Sequence, residues 1–104
     1  MNLNLLETNK LYSFKMSSGE EFIARVVAID TNHKTLTVSE PLSIAPTQQG
    51  PTLVPTMFTT DQDNSVELNT SSVAMWAPTA ESISSKYTEA TTGISVPDKK
   101  IIMG

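Results

Sequence analysis

Few side chains in this sequence are equipped for chemistry. His33 is the only histidine and cysteine is absent. That leaves no thiolate nucleophile, no Cys-based zinc site and no histidine cluster, and it gives a Ser–His–Asp relay a single histidine to draw on. His33 sits in Asp30-Thr31-Asn32-His33-Lys34, a run of side chains that bond their own backbone in turns. The plain reading is a solvated turn histidine; the functional one is a platform on which a base stacks. Asp61-Gln62-Asp63-Asn64 spaces its oxygens like the start of a calcium loop. That loop needs Gly at its sixth position and Glu at its twelfth, where this chain has Val66 and Ser72, so a hydrated turn is expected instead. Glu20 and Glu21 are adjacent carboxylates, yet successive strand residues point to opposite faces and the pair would diverge. Asn69-Thr70-Ser71 matches a glycosylation acceptor in form only. No Gly-rich phosphate loop or nucleotide-binding lysine motif is present. The sequence therefore predicts no enzyme, no metal site and no cofactor.

Charge narrows the partners. The formal net charge is −4, whereas wrapping a duplex by neutralising many phosphates needs a dense basic face. Residues 1–78 hold four basic and eight acidic side chains and residues 79–104 hold three of each, so the whole excess lies on the first part. A polyanion would have to be held at a small local site, by stacking and hydrogen bonds. No hydrophobic run approaches the roughly 20 residues of a membrane span, and Met1-Asn2-Leu3-Asn4-Leu5-Leu6 lacks the basic start and apolar core of a secretory signal. A cytoplasmic, reducing compartment is expected, with no membrane partner.

Any site must be positioned by strands. Leu11, Tyr12, Phe14 and Met16, then Phe22, Ile23, Val26, Val27 and Ile29, then Leu36, Val38, Leu42 and Ile44 alternate in part with polar residues. Such alternation predicts antiparallel strands over about 11–16, 20–29 and 35–44, broken by turns at Ser17-Ser18-Gly19 and 30–34. Residues 45–51 read as a loop containing Pro46 and Pro51. Residues 53–60 read as a fourth strand near a sheet edge, interrupted at 61–65 and resumed at Val66–Leu68. Val73–Trp76 reads as a fifth strand ended by Pro78. Beyond it the spacing changes: Ala80, Ile83, Tyr87 and Ala90 lie three or four apart, which predicts a short amphipathic helix over about 79–91, with Thr79 as N-cap and Gly93 as stop. Its Ser and Thr content makes it dependent on docking. Residues 94–104 show no period and read as a tail. The expected organisation is a mostly β domain over 1–78 and a C-terminal extension over 79–104.

The order of these elements, and the stretch from Tyr12 through Gly19 to Asp30 with Leu36 and Val38 after it, resembles the first motif of the Sm-like (LSm and Hfq) family, in particular the Sm-like proteins of marine cyanophages. Val66-Glu67-Leu68-Asn69-Thr70-Ser71-Ser72-Val73-Ala74-Met75-Trp76 resembles the second, two short strands around a tight turn. The resemblance implies a small, strongly bent five-stranded antiparallel barrel whose copies close into a ring through their terminal strands. Candidate interface residues are then Met57, Phe58, Val66, Leu68, Val73, Met75 and Trp76. It also implies a base-binding site between two turns, with Asn32, His33, Lys34, Asn69 and Thr70 as candidates; Asn69-Thr70 stands where the family carries Arg-Gly. Trp76 reads as a core or interface anchor rather than a ligand platform.

The resulting expectation is a non-catalytic, homo-oligomeric ring of about five to seven copies that binds short single-stranded RNA. The alternative is an adaptor ring of a phage particle that binds a phage or host protein through residues 79–104, without RNA; in that case the host cytoplasm is the expected compartment.

Overall fold

The computed structural model describes residues 1–92. One turn of 3-10 helix, Leu3–Leu5, opens the chain, and the Asn2 side chain caps it by accepting from the Asn4 N–H at 3.1 Å. Leu3 and Leu6 turn into the core. Strands follow as β1 (Lys10–Met16), β2 (Glu21–Asp30), β3 (Thr35–Thr47), β4 (Gly50–Pro55), β5 (Ser65–Asn69) and β6 (Val73–Pro78), and then helix α1 (Glu81–Thr92). Every pairing is antiparallel. β1, β2 and β3 form a meander, and β6 returns to lie beside β1. β3 is long enough to hold two partners on its far side, β5 along Thr35–Ser39 and β4 along Leu42–Thr47.

The turns follow from local chemistry. Gly19 takes φ 99°, a region that favours glycine, and donates to the Met16 carbonyl at 2.9 Å to close the β1–β2 hairpin. Two register shifts break the β2–β3 ladder: Glu40 and Pro41 together face Ala24, and Val27 is skipped between Val26 and Ala28. Bulges of this kind bend a sheet and increase its twist. The bending brings its two ends together. Leu68 of β5 packs in one core with Phe14, Phe22, Val26, Leu36 and Val38, and Val73 and Trp76 of β6 pack against the same cluster. Tyr12 meets Trp76 edge-on, with ring centroids 5.6 Å apart.

A second, smaller core lies on the other face, where α1 docks. Tyr87 is fully buried with Ile23 and Leu42, flanked by Leu11, Ile44, Leu53 and Ile83. Its hydroxyl donates to the carbonyls of Ser39 and Glu40, at 3.2 and 2.9 Å. Glu40 is the bulge residue and has φ 50°, so the helix caps the point where β3 changes partner. Hydroxyls along α1 bond the preceding turn, Thr88 to the Ser84 carbonyl at 2.9 Å and Thr91 to that of Tyr87 at 2.9 Å. Such back-bonding adds little to a helix, which leaves the Tyr87 anchor as its main support. No helix among the described residues is long and apolar enough to cross a membrane.

A mostly β chain with a short C-terminal helix is observed, but with six strands where the sequence predicts five. β3 continues through Pro46 to Thr47 and turns back at Gly50 (φ 108°) into β4, so residues 45–51 form a hairpin rather than a loop. The prolines fit because Pro46 faces Pro51 near the hairpin end, where the ladder is ending anyway. β4 stops at Pro55, and Met57–Thr60 lies in an exposed connection outside any strand. The helix begins at Glu81 rather than at 79. Thr79 is drawn to β1 instead, its hydroxyl 3.0 Å from that of Ser13, and the Ala80 carbonyl accepts the first helical bonds, from Ile83 and Ser84. Ala80 and Ala90, expected on the buried stripe, are exposed. Gly93 and the tail at 94–104 lie outside the described residues.

Removing the Tyr87 hydroxyl by Tyr87→Phe is expected to lower stability to urea by about 1 kcal/mol, and Tyr87→Ala by about 3–5 kcal/mol. Burial, reinforced by the Glu40 carboxylate, pushes the phenol from 10.0 up to about 12. The neutral form is the one that fits the fold, so its contribution is complete below pH 10 and is lost as pH rises toward 12. Denaturation across that range should show an alkaline loss of stability that Tyr87→Phe abolishes; an equal loss in both chains would contradict the assignment.

Candidate functional site

Two turns far apart in sequence meet at one end of the sheet. The first links β2 to β3. There the Asp30 carboxylate accepts from the N–H groups of Asn32 and His33, both at 3.0 Å, with one oxygen, and lies 2.8 Å from His33 Nδ1 with the other. These bonds, led by the His33 N–H, hold the Asp30 carboxyl below the usual carboxylate range. Lys34 closes the turn at φ 57°. The second turn, one 3-10 turn over Thr70–Ser72, links β5 to β6. Asn69 caps it by accepting from the Ser71 N–H at 3.1 Å and from the Ser71 hydroxyl at 2.8 Å.

Thr70 joins the two turns. It is buried, and both its N–H, at 3.2 Å, and its hydroxyl, at 2.7 Å, donate to the Lys34 carbonyl. Asn69 lies directly across from Thr35 in the β5–β3 ladder. The five residues Asn32, His33, Lys34, Asn69 and Thr70 are thus brought together, but they divide by task. Asn69 and Thr70 spend their side chains on holding the turns. The Asn32 amide, the exposed His33 ring, at 80 % side-chain exposure, and the Lys34 ammonium remain available to a ligand. One cation, one stackable ring and one amide suit a single nucleotide or another small planar anion better than a metal. Among the described residues no group of three or more His, Asp or Glu side chains is placed to hold an ion.

The seven candidate interface residues separate just as clearly. Val66, Leu68, Val73 and Trp76 turn into the main core of their own chain. Their strands nevertheless lie at the two ends of the sheet, and among the described residues no strand lies beside the outer edge of β5 or β6. Met57, Phe58 and Met75 expose their side chains, Phe58 at 78 % and Met75 at 65 %. The Met57–Phe58 pair sits off the sheet, so neither residue can contribute ladder bonds from a strand. The bonds of the Tyr87 hydroxyl and the tie from Thr70 to Lys34 are the contacts the sequence leaves unsignalled: helical spacing puts Tyr87 on the apolar stripe but does not aim its hydroxyl at Ser39 and Glu40, and a threonine in a turn has no pattern of its own.

Thr70→Val keeps the shape of the side chain and deletes the hydroxyl's bond to the Lys34 carbonyl, leaving only the bond from the Thr70 N–H. It is expected to cost about 1 kcal/mol in urea denaturation and to speed hydrogen exchange at the Thr70 amide; unchanged stability and exchange would show that the two turns are held by something else. In comparisons with known proteins, no family model and no curated sequence matches this chain.

Proposed function

We propose that this chain is an Sm-like subunit that closes into a homo-oligomeric ring by pairing β5 of one copy with β6 of the next, and that the joined turns bind short single-stranded RNA. The observation that carries the reading is the pair of open edges at opposite ends of one curled sheet. An open edge exposes unpaired N–H and C=O groups and templates a further strand. Three strands have such edges among the described residues, and they differ. β4 carries Pro51 and Pro55, which remove donors and blunt it. β5 has no proline, and β6 has one only at its last residue. Because the two unprotected edges are different surfaces, pairing them is heterologous, and a heterologous contact ends either in a closed ring or in a filament.

Ring closure would repeat the cluster of Asn32, His33 and Lys34 around one axis. Several weak single-nucleotide contacts on one strand then act together. Catalysis has no part in this reading: the one histidine of the cluster already faces Asp30, its Nδ1 2.8 Å from the carboxylate.

A second reading, a protein-binding adaptor ring without RNA, is favoured by the charge. The chain is acidic overall, and Lys34 is the only cation in the turn cluster. Residues 79–104 would then carry the docking surface.

Native mass spectrometry and light scattering are expected to show one closed oligomer; a monomer at micromolar concentration would overturn the ring. Filter binding of oligo-U and oligo-A is expected to show retention that weakens with salt and falls several-fold in Lys34→Ala. An intact ring that retains neither at low salt would leave the adaptor reading.

A further inference from the structure

We infer that Lys15 of one copy pairs with Glu67 of the next, and that this charge pair selects the register of the joint between β5 and β6. The inference rests on the self-pairing proposed above and adds what fixes its alignment.

Side chains alternate between the two faces of a strand, and a slip of one residue would turn the apolar set outward. On β5, Val66 and Leu68 face the core, so Glu67 faces out, beside the neutral Thr37 of β3. On β6, Trp76 and, across a bulge at Ala74, Val73 face the core, while Met75 and Ala77 face out, beside Lys15 and Ser13 of β1. An antiparallel joint that keeps the core face continuous must therefore set Glu67 opposite Met75 or Ala77. Opposite Met75, Val66 falls across from Trp76 and Ser65 from Ala77, and, past the extra residue Ala74, Leu68 comes to Val73, which also faces the core. Opposite Ala77, Val66 falls across from Pro78, which has no N–H to donate, and Ser65 passes the end of β6. The first register avoids the proline and keeps a backbone donor at every paired residue.

In that register Glu67 lies two strand spacings from Lys15, about 9.5 Å, with Met75 between them. The two long side chains can meet over Met75, and their methylene stems would cover an apolar surface now 65 % exposed. A shallow, largely apolar depression of about 190 Å³, lined by Lys15, Glu21, Met75 and Trp76 among others, lies beside that contact and takes the side-chain stems. The charges are unspent. Lys15 faces Glu21 across the β1–β2 ladder without an ion pair, and the only carboxylate pairs among the described residues are Lys10 with Glu7 and His33 with Asp30. Copies carrying −4 each repel one another, so a joint that sets a cation against an anion favours the correct edge over a wrong one.

The test is a dilution series of the full chain by light scattering, comparing wild type, Lys15→Glu, Glu67→Lys and the double reversal at low salt and at about 0.5 M salt. Each single reversal is expected to raise the concentration for half-assembly about tenfold at low salt and the double reversal to return it to within about threefold of wild type. The gap should narrow at high salt. Circular dichroism of each variant reports folding, and the neutral changes Lys15→Met and Glu67→Gln should weaken assembly a few-fold without repulsion. Single reversals that assemble like wild type, or a double reversal no better than the singles, would overturn the pair while leaving an assembled wild type, and so the self-pairing, intact. A wild type that never assembles would overturn both.

Discussion

Backbone N–H and C=O groups demand partners wherever water is displaced, and a sheet can satisfy them only between its strands. In this chain the central strands are fully paired, while β5 and β6 each find a partner on one side only among the described residues. The rest of the architecture follows from how the sheet reaches that state. β3 gives one flank to β2 and divides the other between β4 and β5, so the sheet forks instead of growing wider. The bulges at Glu40–Pro41 and at Val27 curl it until both ends share one core. Curling buries the apolar face of each terminal strand but leaves its edge open.

The helix serves this geometry. β3 passes through a left-handed residue at Glu40, and the carbonyls of Ser39 and Glu40 are open to a donor from the helix. Tyr87 donates to two of them from a fully buried site. The same side chain joins Ile23 to Leu42, so it binds the two strands on either side of the bulge and satisfies the groups the bulge displaces. At the opposite end of β3, Thr70 does comparable work for the Lys34 carbonyl. In both places a left-handed residue in the β2–β3 region is held by a hydroxyl from a later element. The turn cluster thus spends the Asn69 and Thr70 side chains on structure and leaves those of Asn32, His33 and Lys34 exposed.

Much of this is legible in the residues. Gly19 marks the first hairpin because few other residues accept its backbone angle, and Asp30 marks the second turn because its carboxylate can accept from the N–H groups that follow. Apolar alternation locates β1, β2 and the first part of β3 to within a residue. Legibility fails where a local rule gives way to tertiary context. Pro46 and Pro51 suggest a loop, yet opposite one another at a hairpin end neither disrupts the ladder. Thr79 has the right chemistry for a helix cap but bonds Ser13 across the sheet instead. The meeting of Asn32–Lys34 with Asn69–Thr70 has no signal in either segment alone, because it depends on the pairing that lays β5 beside β3. The pairing of Lys15 with Glu67 depends on register and exposure, which alternation in one strand does not supply.

The central claim is that the outer edges of β5 and β6 are satisfied by another copy of the chain. Hydrogen exchange read amide by amide tests it most directly. At assembling concentrations the account predicts that the outward amides within Ser65–Asn69 and Val73–Ala77 are protected nearly as well as those of β2, and that this protection is lost on dilution while β2 keeps its own. Outward amides of β5 and β6 that exchange as freely as those of residues 56–64 at every concentration would contradict it.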